Sequence, residues 1–226
     1  MRNMIQKVLV LAPTSVELDA LTAHAPVSMK IQKGPWQVRF TRFANRDGLA
    51  MVCGMGPSLA AACASFALCS FAVERVILAG LAGSLQDHPS GSVLQASSEQ
   101  FLDLGSTDEA GQFQSLASRL PLLEGQELPQ ILKTESLQAN LPSAAMGTAS
   151  RICSGDEERA WIQSQFPDIA CESMEGASVA SICHLFGTPF HEIRSISNLC
   201  GERDRSKWDF PGALNALKTA GLEVLG

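Results

Sequence analysis

The spacing of apolar and polar residues changes period along the chain, and each change predicts an element. Lys7 to Leu11 is a short apolar, β-rich run followed by Ala-Pro-Thr-Ser and then by Glu17 to Leu21, whose apolar spacing suits a helix. The chain therefore opens as strand, turn and helix. Residues 36–43 and 48–53 read as two strands around Asn45-Arg46-Asp47-Gly48, polar turn residues ending in Gly that predict a hairpin. Ser58 to Phe71 is Ala-rich and helical in pattern, and Arg75 to Ala79 is an apolar strand that stops at Gly80-Leu81-Ala82-Gly83. Strand, helix and strand in succession imply a right-handed crossover onto a parallel sheet.

Residues 105–143 are polar with scattered Gly and Pro, and read as a peripheral excursion holding one short helix and one strand. The last third is cleaner. Asp156 to Gln165 is helical behind Ser154-Gly155, Glu175 to Phe186 is an amphipathic helix, Pro189 to Ile196 is a strand, and Asp209 to Leu225 closes the chain as a helix. No repeat, low-complexity stretch or linker divides the sequence. The expectation is one α/β domain over 1–226, a three-layer sandwich whose mixed central β-sheet is flanked by helices.

Composition narrows what such a domain does. Hydrophobic residues make up 46% and charged residues 18%, enough apolar material for a substantial core in 226 residues. Seventeen Lys and Arg against twenty-three Asp and Glu give a net charge of −6, which favours neither nucleic acid nor anionic lipid as a partner. Leu49 to Val73 carries no charge, but Gly54, Gly56, Pro57 and many Ala and Ser break it into a strand and a small-residue helix rather than a membrane span. The seven Cys form no CxxC pair, and their odd number fits free thiols in a reducing compartment; with no secretory signal at the N-terminus, a cytoplasmic protein is expected.

In a sheet of this kind ligands bind beyond the carboxyl ends of the strands. Four places qualify: Glu17, Gly54-Met55-Gly56, Gly80 to Gly83, and Ser197-Asn198 after a strand ending at Ile196. Neither glycine cluster has dinucleotide or phosphate-loop spacing, and tight turns in a packed sheet explain both equally well. Glu175 is a fifth place. Its apolar flanks point to a buried acid with a task, while a helix start favours Glu for dipole reasons alone, and the local sequence leaves both readings open. Glu17 has the same ambiguity, since Ser15-x-Glu17 also describes a solvated first helical turn. His24, His88, His184 and His191 stand at no metal spacing, Cys200 has no His near it in sequence, and no serine sits in a nucleophile elbow. No metal and no cofactor is expected.

Residues 172–198, ESMEGASVASICHLFGTPFHEIRSISN, resemble the signature of the nucleoside phosphorylase and nucleosidase superfamily, with Met174-Glu175-Gly176-Ala177 and Arg194-x-Ile196-Ser197 as its specific parts. The likeness continues through Val8 to Leu21, Cys53 to Ala62 and Val76 to Leu85. Phosphorylases of this superfamily place an arginine just before the glycine turn, where this chain has Ile77-Leu78-Ala79, so the resemblance implies a hydrolase that uses water. It implies further that Glu17 activates the water, that Glu175 accepts hydrogen bonds from ribose hydroxyls while Met174 packs on the sugar, and that Ile152 packs on the base. Asn198 would stabilise the leaving base, with Ser197 and Arg194 supporting it and the Gly80-Leu81 turn beside the sugar.

The methylthioadenosine nucleosidases carry Asp where this chain has Asn198. An amide can donate to a 6-oxo group and still contact N7, which suits hypoxanthine, whereas a carboxylate suits adenine. With Glu202-Arg203-x-Arg205-x-x-Trp208 the chain is similar to the futalosine hydrolases, which release hypoxanthine from futalosine in the alternative menaquinone pathway. Arg203 or Arg205 could meet the benzoate of that substrate, or be solvated surface residues. Leu81 departs from the Ser common in the nucleosidases. Alternatives stay open: a nucleosidase releasing adenine from methylthioadenosine, adenosylhomocysteine or aminofutalosine, or a non-catalytic nucleoside-binding protein. The resemblance implies a homodimer.

Overall fold

The computed structural model describes residues 7–44, 46–116, 124–126, 128–137 and 139–226. Strand β1 (Lys7–Ala12) and helix α1 (Ser15–Leu21) appear as the apolar run and the following helical spacing predict. Strands β2 (Val27–Lys33), β3 (Trp36–Phe43) and β4 (Arg46–Val52) form a meander, of which β3 and β4 are the expected hairpin; its turn residue Asn45 lies outside the described residues. Strand β2, almost wholly exposed, was not among the expected elements, although Val27, Met29 and Ile31 alternate with Ser28, Lys30 and Gln32 at strand period. Helix α2 (Pro57–Ser70) starts on Pro57, whose missing N–H is no loss in a first turn.

Strand β5 (Val73–Ser84) corrects the expectation of a strand ending at Ala79, because it runs on through Gly80 and Gly83 instead of turning there. The same holds for β12 (Phe190–Leu199), which carries Ser197 and Asn198 within it, past a register shift between Ile196 and Asn198. Between them come β6 (Val93–Phe101), the small hairpin β7 (Gly105–Thr107) with β8 (Phe113–Ser115), β9 (Leu132–Lys133) and β10 (Ser143–Thr148). They are followed by α3 (Asp156–Gln165), β11 (Ile169–Ser173) and α4 (Gly176–Phe186). The excursion thus supplies three short strands rather than one, and the short helix expected there lies outside the described residues. A single 3-10 turn (Arg205–Lys207) leads into α5 (Phe210–Leu225).

The strands order as β11-β10-β6-β12-β5-β1-β4-β3-β2, with β9 on β6. Around β1 the sheet is parallel and buried on both faces, so its strands read as continuous apolar runs. Alternate residues go to opposite sides: Leu9, Leu11, Val76 and Leu78 join Ala60, Cys63, Ala64 and Val179 of α2 and α4, while Val8, Val10, Ile77 and Ala79 join Leu18, Leu21, Leu217 and Leu225 of α1 and α5. This half is the expected three-layer sandwich. The other half curls: β6 runs antiparallel to β12, and β11 returns to pair antiparallel with β5 at Cys171–Ser84 and Glu172–Gly83. The five strands β5, β12, β6, β10 and β11 therefore close into a ring. The long uncharged run divides into β4, a turn and α2, and among the described residues no helix is long and apolar enough to cross a membrane.

Helices α1 and α5 meet backbone to backbone, since a Cβ on Gly221 would stand 2.1 Å from the Leu21 carbonyl oxygen. Gly221→Ala forces the helices apart and should lower the unfolding free energy by about 1–3 kcal/mol, read from the urea midpoint at unchanged slope. An unchanged midpoint would show that the contact is dispensable.

Candidate active site

A cleft of about 250 Å³ opens where the carboxyl ends of β1, β4, β5 and β12 meet the segments after β10 and β11. Of the residues singled out in the sequence, Glu17, Leu81, Ile152, Met174, Glu175, Ser197 and Asn198 line it. Gly80 and Arg194 stand behind its wall, with Arg194 wholly buried. Arg203 and Arg205 are exposed outside it.

Glu17 is not a solvated helix residue: only 7% of it is exposed. Thr14 caps α1, its hydroxyl oxygen accepting from the Glu17 N–H at 3.3 Å while its O–H donates to Glu17 Oε2 at 2.5 Å. The Leu81 N–H donates to Oε1 at 2.9 Å. Because the backbone makes that second bond, Leu at position 81 keeps it. The approach depends on Gly80, where a Cβ would lie 2.9 Å from Glu17 Oε1 and 2.7 Å from Arg194 Nη1.

Glu175 is the residue on which α4 starts, 3% exposed. Its Oε1 accepts from the Gly56 N–H at 3.0 Å and its Oε2 from Arg194 Nη1 at 3.2 Å. The Gly-Met-Gly segment is thus more than a tight turn. Gly54 and Gly56 take φ of 89° and 90°, a region open to Gly, and this aims the Gly56 amide at the carboxylate while Met55 lines the cleft.

Arg194 anchors the other side of Glu175. Its Nε donates to Glu192 Oε1 at 2.7 Å and Nη1 donates to the Leu81 carbonyl at 3.3 Å. The carboxylates of Glu192 and Glu175 hold the guanidinium even more firmly protonated than usual, against the burial that opposes its charge. Behind this pair sits Glu99, fully buried and bonded by Thr148 Oγ1 at 3.0 Å. Burial first, and then the Glu192 charge, pushes Glu99 well above the usual carboxylate range. Gly176 makes room for that pair, since a Cβ there would meet Glu99 Oε1 at 2.1 Å and Glu192 Oε2 at 2.6 Å.

At the far end Asn198 is pinned within β12. Its Oδ1 accepts from Ser197 Oγ at 2.8 Å and its Nδ2 donates to the Leu199 carbonyl at 2.9 Å. Cys200 beside it is buried, and burial followed by the Glu172 charge pushes its thiol far up, which leaves a protonated, inert sulfur. Sequence reasoning gave no site role to Thr14, Glu172, Trp208 and Phe210, all of which line the cleft, although Glu172 and Trp208 stand within the motifs that carry the resemblance. Thr14 has a readable signal as a helix cap; Glu172 has none, because it lies on the short strand β11 that the sequence did not reveal.

A family model described as the phosphorylase superfamily matches residues 7–224. Over 225 residues the chain is 27% identical to a futalosine hydrolase of Acidothermus cellulolyticus, covering 95% of this chain and 88% of that one. It is 28% identical over 171 residues to a 5'-methylthioadenosine/S-adenosylhomocysteine nucleosidase of Glaesserella parasuis, covering 73% and 74%. Among solved structures, the futalosine hydrolase of Helicobacter pylori superposes with a TM-score of 0.76 over 96% of this chain and 97% of that one, at 20% identity, a likeness of fold.

The buried acid pair has a consequence for stability. An acid raised by folding contributes fully below its ordinary range near 4.5, and that contribution is lost as pH rises through the folded value. Glu99→Gln, neutral and of the same shape, should therefore gain on the wild type as pH rises from about 5 to about 9, measured by urea denaturation. A constant difference at both pH values would mean that Glu99 is already ionised in the folded protein.

Proposed function

The chain belongs to the phosphorylase superfamily, and on that premise we propose that it is an N-ribosyl hydrolase, a single nucleosidase domain that cleaves the glycosidic bond of a purine nucleoside. Breaking that bond leaves positive charge on the ribose and negative charge on the purine, so catalysis needs anions at the sugar and donors at the base. The observation that carries the reading is the division of one cleft into such ends: Glu17 and Glu175 on one side, the Asn198 amide on the other.

Glu17, fixed by Thr14 and the Leu81 N–H, orients and deprotonates the attacking water at the anomeric carbon. Glu175, held by Gly56 and Arg194, accepts from ribose hydroxyls and stabilises the oxocarbenium charge, with Met174 packed on the sugar. Water is favoured over phosphate as nucleophile by the charge balance. Arg194 has no exposed surface and is ion-paired to Glu192 and Glu175, and Arg151, which lines the cleft, is ion-paired to Glu158.

At the base end Asn198 Nδ2 has one hydrogen left after Leu199 and Oδ1 one lone pair left after Ser197. The first suits a 6-oxo group and the second an N7–H. We therefore read the substrate as futalosine, split to hypoxanthine and dehypoxanthine futalosine in menaquinone biosynthesis. Ile152, 49% exposed at the rim, packs on the base, and Met55, 66% exposed, fits a partner subunit that closes the cleft in a homodimer. The relative from Glaesserella parasuis supports a second reading, release of adenine from methylthioadenosine or adenosylhomocysteine.

Product analysis with futalosine, its 6-amino analogue and methylthioadenosine separates these readings. Hypoxanthine release from futalosine should be fastest and independent of added phosphate; faster adenine release rejects the amide argument, and phosphate dependence rejects the hydrolase. Glu17→Gln should lower kcat by about 10²–10⁴-fold with substrate binding retained. Asn198→Asp should shift kcat/KM toward the 6-amino substrates.

A further inference from the structure

Two uses of the Glu175 carboxylate compete. Glu175 is the residue on which α4 starts, and the free N–H groups and the dipole at a helix start attract an acid. A carboxylate folded back onto its own helix would leave Gly56 and Arg194 and turn away from the cleft. In the structure it makes no such bond to the first turn of α4. The bond is made instead by a side chain from another strand.

Thr148, at the end of β10, accepts at Oγ1 from the Ala177 N–H at 2.7 Å. Ala177 carries the second amide of α4, the one that a capping side chain ordinarily takes. An amide N–H only donates, so the hydroxyl hydrogen of Thr148 must go elsewhere, and it goes to Glu99 Oε2 at 3.0 Å. Glu99 thereby fixes the hydroxyl with its lone pair toward the helix. Neither Thr148 nor Ala177 has exposed surface, so water does not supply a substitute acceptor.

Sheet order brings these groups together. Thr148 is the register partner of Ser173 on β11, two residues before Glu175, and Glu99 lies on β6, the neighbour of β10 on its other side. Gly176, without a side chain, leaves the room in which Glu99 reaches under the helix start.

We propose, resting on the nucleosidase reading above, that Thr148 is a positioning residue: by capping α4 in place of Glu175, it leaves that carboxylate free to hold the ribose hydroxyls. Glu99 acts one step behind it, by orienting the Thr148 hydroxyl. Loss of that hydroxyl leaves a buried amide without an acceptor, which Glu175 relieves by folding back onto the helix. The sugar contact then weakens, while the base end on β12 keeps its geometry.

The test measures kcat/KM of the full chain on whichever of futalosine and methylthioadenosine it cleaves faster, and on the 2',3'-dideoxy analogue of that nucleoside. Wild type should favour the hydroxylated substrate. Thr148→Val has the same shape without the hydroxyl, and its added methyl group bars Glu99 from the amide. In this variant the preference should fall by about 10–100-fold, with calorimetric affinity for the free base unchanged. Thr148→Ser should keep the preference. Thr148→Cys, whose sulfur is a weak acceptor, should lose it as the valine variant does, and serves if that variant does not fold. A structural role alone lowers the urea midpoint and slows both substrates alike, so an unchanged preference in Thr148→Val, or its loss in Thr148→Ser, would overturn the proposal. Failure of the underlying reading shows separately, as a wild type that releases no base or is indifferent to the hydroxyls, and either result removes the role of Thr148 with it.

Discussion

Arg194 is a guanidinium with no exposed surface, placed in the middle of a sheet, and much of the molecule is arranged around that fact. Removing such a charge from water costs several kcal/mol unless carboxylates and carbonyls surround it. Glu192 on the same strand, Glu175 at the start of α4 and the Leu81 carbonyl on β5 supply them. Each partner is thereby fixed in turn. Glu175 is clamped between the guanidinium and the Gly56 amide, which ties the turn after β4 to β12, three places away in the sheet. Gly80 and Gly176 are without side chains because the cation and its acids fill the space where a Cβ would be. The ion network holds the Glu175 side of the cleft rigid, and burial together with the neighbouring Glu192 charge favours the neutral form of Glu99 behind it.

The two halves of the sheet make different contributions. In the sandwich half, parallel strands buried between α1, α5 and α2, α4 deliver Glu17 and Gly56 from loops at their carboxyl ends, as open α/β sheets generally do. In the ringed half, antiparallel pairing returns β11 alongside β5 and sets a strand residue, Glu172, opposite another, Asn198, across Gly83. Loops thus place Glu17 and the Gly56 amide, and strands place Asn198 and Glu172. Side chains carried on paired strands are held by the ladder itself, so the base end is positioned without needing a network like that of Arg194.

How far the sequence foretold this depends on which physical signal each element carries. The apolar runs of β1 and β5, the hairpin of β3 and β4 and the helices α2 to α5 follow from periodicity and end signals, since burial on two faces or one stripe leaves a pattern. Strand β11 is five residues with an acid within it and leaves none, whereas β2 carries a period-2 alternation over Val27 to Gln32 that went unread because the strand is short and mostly polar. The strand ends were misjudged at Gly80 and Ile196 because Gly and Ser-Asn are punctuation in most sequences, whereas here they are small or pinned residues inside paired strands. Glu17 and Glu175 were visible as acids in apolar surroundings, but their burial depends on partners distant in sequence, Leu81 and Gly56, which no local window contains. Glu172 was invisible for the same reason: only the β11–β5 pairing brings it to Gly83.

Separation of the two ends also constrains how such a cleft can change its substrate. Glu175, Glu192 and Arg194 form a mutually dependent set, since moving one leaves a buried charge without its counter-charge. Asn198 and Glu172 are bonded to neutral groups, Ser197 Oγ and the Leu199 carbonyl for the first, the Cys153 amide and the Cys200 thiol for the second. On the proposed reading, exchanging amide for carboxylate at Asn198 alters which hydrogens face the base while leaving the Arg194 ion network intact. The free energy that would select the purine is then decoupled from the free energy that holds Glu175, and discrimination between 6-oxo and 6-amino bases could shift without dismantling that network.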